Sequence, residues 1–137
     1  MREITFTIHG NDENPNGNPG GYTRMLKGSQ KPSAIKYRLW CIHVRKEYNK
    51  QIQTETRNKT WEEISREKPL TTSKENPVRM DIEIDFADDK RSDCDNVYKG
   101  IADALFENDK YIMAGSFIGK QSPNKVGEVR VKIKIKN

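Results

Sequence analysis

The stretch VRMDIEIDFADDKRSDCDNVYKGIADAL, Val78–Leu105, carries two hydrophobic periods in succession. In its first part Met80, Ile82, Ile84 and Phe86 alternate with Asp81, Glu83 and Asp85, the period of two that marks a half-buried strand. In its last part Val97, Ile101, Ala104 and Leu105 recur at i, i+4, i+7 and i+8, one face of a helix. A helix is therefore expected to begin near Asp95 and to end before Asp109. The polar run ADDKRSDCDN joins the two.

The flanks continue the mixture. Upstream, Ile4, Phe6 and Ile8 alternate with threonines in ITFTI, a second strand, and the Gly-, Pro- and Asn-rich GNDENPNGNPGG that follows reads as a long loop. From Pro32 to about Asn49 a helix is expected, with Ile35, Leu39 and Ile42 as its apolar stripe and Lys36, Arg38, Arg45 and Lys46 on a basic face. His43 reads as a surface or packing residue. The polar segment 50–77 offers Trp61 and Ile64 as anchors and a short helix near Trp61. Downstream, KYIMAGSFIGK reads as a strand, and EVRVKIKIKN alternates Val129, Val131, Ile133 and Ile135 with Arg130, Lys132, Lys134 and Lys136. The expected fold is α+β: one small domain over 1–137, with a mixed or mostly antiparallel sheet of three to four strands and two main helices.

Composition sets the same bounds. The chain has 137 residues, about one domain, and only 33% of them are apolar against 33% charged, so the core is small and a partner subunit is expected to share the stability. Cys41 and Cys94 form no CxxC pair, which argues against a disulfide framework or zinc finger and suits reduced thiols in a cytoplasm. The N-terminus is too polar for a signal peptide, and no stretch approaches the ~18 apolar residues of a membrane span. The NKT sequon at Asn58 is therefore expected to stay unglycosylated.

Charge is unevenly placed. The formal net charge is +5, yet Asp81 to Asp109 holds ten acids against three bases, a net of −7, which leaves +12 for the remainder. A basic body attracts a polyanion such as nucleic acid, and an acidic island repels it unless cations intervene. A solvated acidic face is the plain alternative.

Asp93 and Asp95 fall where strand hands over to helix, an edge position suited to a site. Two carboxylates one residue apart raise each other's pKa unless a cation lies between them, and Mg²⁺ takes hard oxygen ligands from one or two carboxylates plus phosphates and water. Lys99 stands one helical turn past Asp95, and Asp109 follows the helix as a possible third carboxylate. Such a set can activate a water and stabilise a leaving oxygen in phosphodiester hydrolysis. By pattern alone the rival account stands beside it: Asp93 or Asp95 caps the helix, and Lys99 forms an ordinary i,i+4 pair worth ~0.2–0.5 kcal/mol. An EF-hand is excluded, because the sixth position from Asp93 is Tyr98 and the twelfth Ala104. Gly-rich phosphate loops, a Ser/His/Asp order and zinc spacings are absent, and Cys94, a soft ligand, reads as a small spacer.

These residues resemble the RusA-like Holliday junction resolvases. KRSDCDNVYKGIADAL is similar to that family's R-x-D-x-D-N-x-x-K-x-x-x-D-A-L signature and NDKYI to its D-D-x-x-[IV]. ITFTIHG, NPVRMDIEIDF and GKQSPNKVGEVRVKI are similar, in order, to its first strand, the strand before the motif and its closing turn and strand. The resemblance implies a Mg²⁺-dependent homodimer, with Mn²⁺ as a possible substitute, that cuts two symmetric strands of a four-way DNA junction in recombination and repair. It makes Asp93, Asp95 and Asp109 the metal ligands and Lys99 the catalytic lysine; Asn96 and Asp103 match further motif positions. Expected DNA contacts are Arg24, Arg91, Lys120, Lys125, Arg130 and Lys132. This chain departs from the pattern in three places: NDENPNGNPGGYTRM supplies only Arg24 where the family is richer in basic residues, the segment between helix and Asp109 is short, and Asn108 replaces the first Asp of the pair. A non-catalytic module for branched or single-stranded nucleic acid, and a metal-dependent nuclease for flaps or RNA, are the competing functions.

Overall fold

The computed structural model describes residues 2–10, 32–52, 60–87, 94–122 and 127–135. Four strands, β1 (Arg2–His9), β2 (Val78–Phe86), β3 (Ile112–Gln121) and β4 (Glu128–Ile135), form one sheet in the order β1-β4-β2-β3. β4 runs antiparallel to both β1 and β2, whereas β2 and β3 are parallel. The helices are α1 (Pro32–Gln51), the short α2 (Trp61–Arg66) and α3 (Cys94–Leu105), and a 3₁₀ turn, Asp109–Tyr111, leads into β3. The α+β class with a mixed four-stranded sheet is as the alternation patterns imply. No described helix is long and apolar enough to cross a membrane.

Strict alternation decides which face of the sheet is buried. Ile4, Phe6 and Ile8 from β1, Val129, Val131 and Ile133 from β4, and Val78, Met80, Ile82, Ile84 and Phe86 from β2 all point to one side and are buried there. Val97, Ile101, Ala104 and Leu105 of α3 close over them, the stripe expected from their spacing. Only this face carries a helical layer among the described residues, so β2 and β4 present their charged residues on the other.

α1 departs from expectation. Ile35 and Leu39 are 38% and 47% exposed and Ile42 is half-buried, while Trp40, Cys41, Val44 and Tyr48 form the buried face. Both stripes have helical spacing, and the one with Trp and Tyr removes more apolar area from water, so it takes the core. Phe6 meets Tyr48 edge-on at 5.4 Å, and Tyr37 stacks on Trp40 at 6.3 Å. Arg45, expected on a solvated basic face, instead donates Nε to the Ala104 carbonyl at 2.8 Å and ties α1 to α3.

α1 also seals one edge of the sheet. The Gln51 side chain acts as a strand in miniature: Thr7 N donates to its Oε1 (2.9 Å) and its Nε2 donates to Thr7 O (2.7 Å). His43 Nε2 donates to the carbonyl of His9 (2.8 Å), whose N–H points to Glu47 Oε2 (3.5 Å). The outward main-chain groups of Thr7 and His9, an invitation to intermolecular pairing, are thus engaged from within the chain.

Close approach of α3 to α1 depends on Gly100. A Cβ there would come within 2.8 Å of the Trp40 ring, and Trp40 is fully buried with no room to retreat. Ala normally stabilises a helix interior by ~1 kcal/mol relative to Gly. Here Gly100→Ala is expected to destabilise by about 1–3 kcal/mol, a reversal of sign readable by urea denaturation followed at the tryptophans.

Candidate functional site

Parallel pairing of β2 and β3 requires the chain to return along the sheet between them, and α3 is that return. Its N-terminus lies at the end of the sheet where β3 finishes: a Cβ on Gly119 would come 2.6 Å from Cys94 Sγ. Cys94, read as a spacer, is therefore the packing foot of α3, half-buried against the core. The C-terminus of α3 lies where β2 and β3 begin. Leu70 N donates to Leu105 O (2.9 Å), Glu107 N donates to Leu70 O (3.2 Å), and Thr72 Oγ1 donates to Asn108 O (2.5 Å). These bonds fix the segment that carries Asp109.

Asn108 has a local role. Its side chain caps the 3₁₀ turn, accepting from Lys110 N at 3.2 Å. Asn and Asp perform this task alike, so Asn108 leaves the turn that presents Asp109 intact.

Asp95 occupies the first turn of α3, which starts at Cys94. It is exposed and has no side-chain hydrogen bond or ion pair with another described residue; Lys99, one turn along the same face, is exposed and likewise unengaged among them. The expected alternative, an Asp95–Lys99 pair, is not formed in this geometry. Lys99 and Asp109 instead line one groove of about 360 Å³ with Tyr98, Met113 and Phe117. Asp95 does not line it. From Asp95 to Leu105 the helix rises about 15 Å, and Asp109 lies beyond that end. Among the described residues no three His, Cys, Asp or Glu side chains converge as a metal cage. Asp93, Arg91, Arg24 and Lys125 lie outside the described residues.

The groove floor rests on residues that sequence reasoning passed over. Tyr98 Oη donates to the Met80 carbonyl at 2.7 Å, across the space that the missing side chain of Gly115 leaves open. Tyr98 also packs on Phe117 at 5.9 Å. Two glycines four apart inside a strand, Gly115 and Gly119, were the available signal, since glycine in a strand interior often marks close approach of another group. Asp103, a motif position of unassigned role, accepts from Tyr37 Oη at 2.8 Å and joins α3 to α1. Burial, and then the Cys41 and Asp103 charges, hold the Tyr37 hydroxyl firmly protonated. Burial also pushes the Cys41 thiol up to about 11, which removes it as a nucleophile at neutral pH.

The open face of the sheet resolves part of the charge conflict. β4's basic row lies beside β2's acidic row, Asp81 opposite Lys132, Glu83 opposite Arg130 and Asp85 opposite Glu128. Arg130 grips Asp85 with both Nη atoms (2.8 and 3.2 Å) and reaches Glu128 (3.0 Å) and Glu83 (3.2 Å). Lys120 Nζ stands 3.8 Å from Asp85, and Asp81 holds Arg79 in a fork and accepts from Ser116 Oγ (2.7 Å). Arg130 and Lys120, expected at DNA, thus carry local carboxylate partners, while Lys132 is exposed. A broader hollow of about 780 Å³ opens over this face, but the opposite charges lining it are largely paired with one another. The smaller groove holds Lys99 and Asp109.

No family model matches the chain, and no curated protein matches it.

Hydrogen bonds from Arg130, outweighing partial burial, hold the Asp85 carboxyl below its usual range, and Arg79 and Ser116 do the same for Asp81 against desolvation. A carboxyl depressed in the folded state contributes stability above its unfolded pKa of ~3.9, and that contribution is lost as pH falls through the lower folded value. Asp85→Asn is therefore expected to lose about 1–2 kcal/mol at pH 7. Thermal melts across pH should show the gap to wild type closing below about pH 4.

Proposed function

We propose that the chain is a Mg²⁺-dependent, structure-specific endodeoxyribonuclease of the RusA-like type, cutting branched DNA and in particular four-way junctions as a homodimer in recombination and repair. The observation that carries this reading is the meeting of Lys99 and Asp109 in one groove, with the exposed Asp95 one turn from Lys99 on the same helix. Tyr98, inside the stretch similar to the family signature, builds the groove floor through its bond to the Met80 carbonyl.

The donor set suits the metal in part. Asp95 offers a hard, exposed carboxylate that no described side chain engages, and Mg²⁺ is commonly held by one or two protein carboxylates, waters and substrate phosphate. Asp109 of the same chain does not fit the same ion, because oxygens sharing one Mg²⁺ lie within ~4 Å of each other. When bound, the ion supplies charge stabilisation at phosphate and a more acidic water. Asp95, with Asp93 beside it in sequence, would hold that ion. Lys99, on a flexible stem, places a positive charge where the phosphorane oxygens develop theirs. Exposed Lys132 on the open sheet face offers a phosphate contact that positions the duplex. Two-fold symmetry of a junction calls for two equivalent sites, hence the dimer.

Asp95→Asn removes the carboxylate charge at constant size. It is expected to leave salt-sensitive junction binding within about twofold and to lower Mg²⁺-dependent cleavage by at least about 10². The assay compares synthetic four-way junction, linear duplex, flap and RNA, each with and without Mg²⁺ or Mn²⁺. Undiminished cutting by the variant sinks the assignment; binding by wild type with no cleavage of any substrate marks a non-catalytic module; preferred cutting of flap or RNA moves the substrate class.

A further inference from the structure

The face of the sheet that α3 leaves uncovered sorts its bases into two kinds. Arg130 is bound to Asp85, Glu83 and Glu128, Lys120 stands 3.8 Å from Asp85, and Asp81 holds Arg79 in a fork. Lys132 and Lys134 form no hydrogen bond or ion pair with any described residue. They stand on the same face of β4, two residues and therefore about 7 Å apart. Lys132 lies between Thr5 on β1 and Asp81 on β2, and Lys134 lies between Glu3 and Arg79. Asp81 commits its carboxylate to Arg79 and Ser116, and Glu3 is exposed and not bonded to Lys134. The half of the face around Lys132 and Lys134 is thus net positive. The other half, where Glu83, Asp85 and Glu128 outnumber Arg130 and Lys120, is net negative. Lys132, Lys134 and Thr5 border the hollow of about 780 Å³ that opens over this face.

We propose that the positive half of this open face holds the backbone of a duplex DNA segment other than the one presented to the Lys99 groove, with Lys132 and Lys134 on successive phosphates of one strand. The proposal rests on the nucleic-acid part of the reading above and not on catalysis. Charge complementarity names the occupant: two cations without carboxylate partners, set along β4 at a step close to that between successive phosphates, with the Thr5 hydroxyl beside them as a further donor to a phosphate oxygen. Bases already matched by local carboxylates release few counterions and add little to such binding. No Phe, Tyr or Trp side chain of the four strands stands on this face: Phe6 and Phe86 are buried in the core, and Phe117 packs on Tyr98 on the α3 side. Single strands are held by bases stacked on aromatic rings, so this face suits a duplex gripped by its phosphates, without reading of sequence. The Lys99 groove opens on the opposite side of the sheet, beside α3. Duplex DNA is stiff over ~150 base pairs and does not fold around a sheet edge, so one segment does not serve both faces. A branched molecule supplies the two segments as two of its arms.

The test uses the full chain without divalent cations, so that nothing is cut. Affinity for a short labelled duplex is read by fluorescence anisotropy between about 50 and 200 mM salt, and the slope of log K against log salt is compared among variants. Lys132→Gln with Lys134→Gln should make the slope shallower by about 2, since each phosphate contact contributes ~0.9, and Lys132→Arg with Lys134→Arg should keep it. Lys120→Gln removes one charge of the same sign from the same face, but a charge that Asp85 already matches, and should leave the slope unchanged. Thermal melts check that each variant is folded. The site is overturned by a double variant with the wild-type slope, by a Lys120→Gln slope that falls as much per charge, by a wild type that binds no duplex, or by poly-glutamate of equal charge competing as well as unlabelled duplex. A four-way junction should give wild type a steeper slope than the linear duplex, and the double variant should bring the two together; equal slopes in wild type overturn the two-segment arrangement. The nuclease reading fails separately. Mg²⁺-dependent cutting with a slope indifferent to the double variant keeps the nuclease and removes this site, whereas the expected slopes without cutting of any substrate do the reverse.

Discussion

Parallel alignment of β2 with β3 constrains everything that follows in this molecule. Two parallel neighbours in one sheet cannot be joined by a tight turn, so the chain must travel back over the sheet, and α3 makes that journey. The strand-to-helix junction with its acidic residues is thereby set at one end of the sheet, and Asp109 is set at the other. Packing holds the arrangement rigidly: Cys94 stands on Gly119 at one end of α3, Gly100 lets Trp40 approach its middle, and Leu70 brackets its far end through bonds to Leu105 and Glu107. The site's geometry is a product of these contacts more than of the site residues themselves.

The same topology redistributes the charge. β4 enters the sheet between β1 and β2, so its basic row runs beside the acidic row of β2. Arg130, bound to Asp85, Glu83 and Glu128, is the centre of that match. Cross-strand charge pairing of this sort fixes register as well as offsetting repulsion. Among the described acids of the island, Asp81, Glu83 and Asp85 face the sheet's own bases, Asp103 accepts from Tyr37, and Asp95 and Asp109 have no described side chain to engage. Asp95 and Asp109 are also positions of the motif-like stretches.

Edges tell a related story. A sheet has two, and this chain spends three side chains of α1 on closing the β1 edge while the β3 edge carries small and apolar residues. Since α1 had to lie over β1 to bury Trp40, Val44 and Tyr48, the sealing residues Glu47 and Gln51 fall on the same helix at the right height.

How much of this was legible beforehand differs from residue to residue. Local periodicity determined β1, β2, β4 and α3 with their buried faces, because alternation and 3.6-residue recurrence are short-range consequences of backbone geometry. Composition and spacing likewise singled out Asp95, Lys99 and Asp109 as chemically unusual. α1 was placed correctly as a helix, yet its buried side was not, because two apolar stripes compete there and only the tertiary partner, the β1 surface, selects the aromatic one. Tyr98, Gly115, Gln51 and the Tyr37–Asp103 bond were silent in the sequence, since each acquires its role from a residue distant along the chain. What the tertiary structure alone decided is which motif residues meet: the return path of α3 over a parallel pair joins Asp109 to Lys99 and parts it from Asp95, and no pattern along a chain encodes the end of a sheet at which a crossover begins.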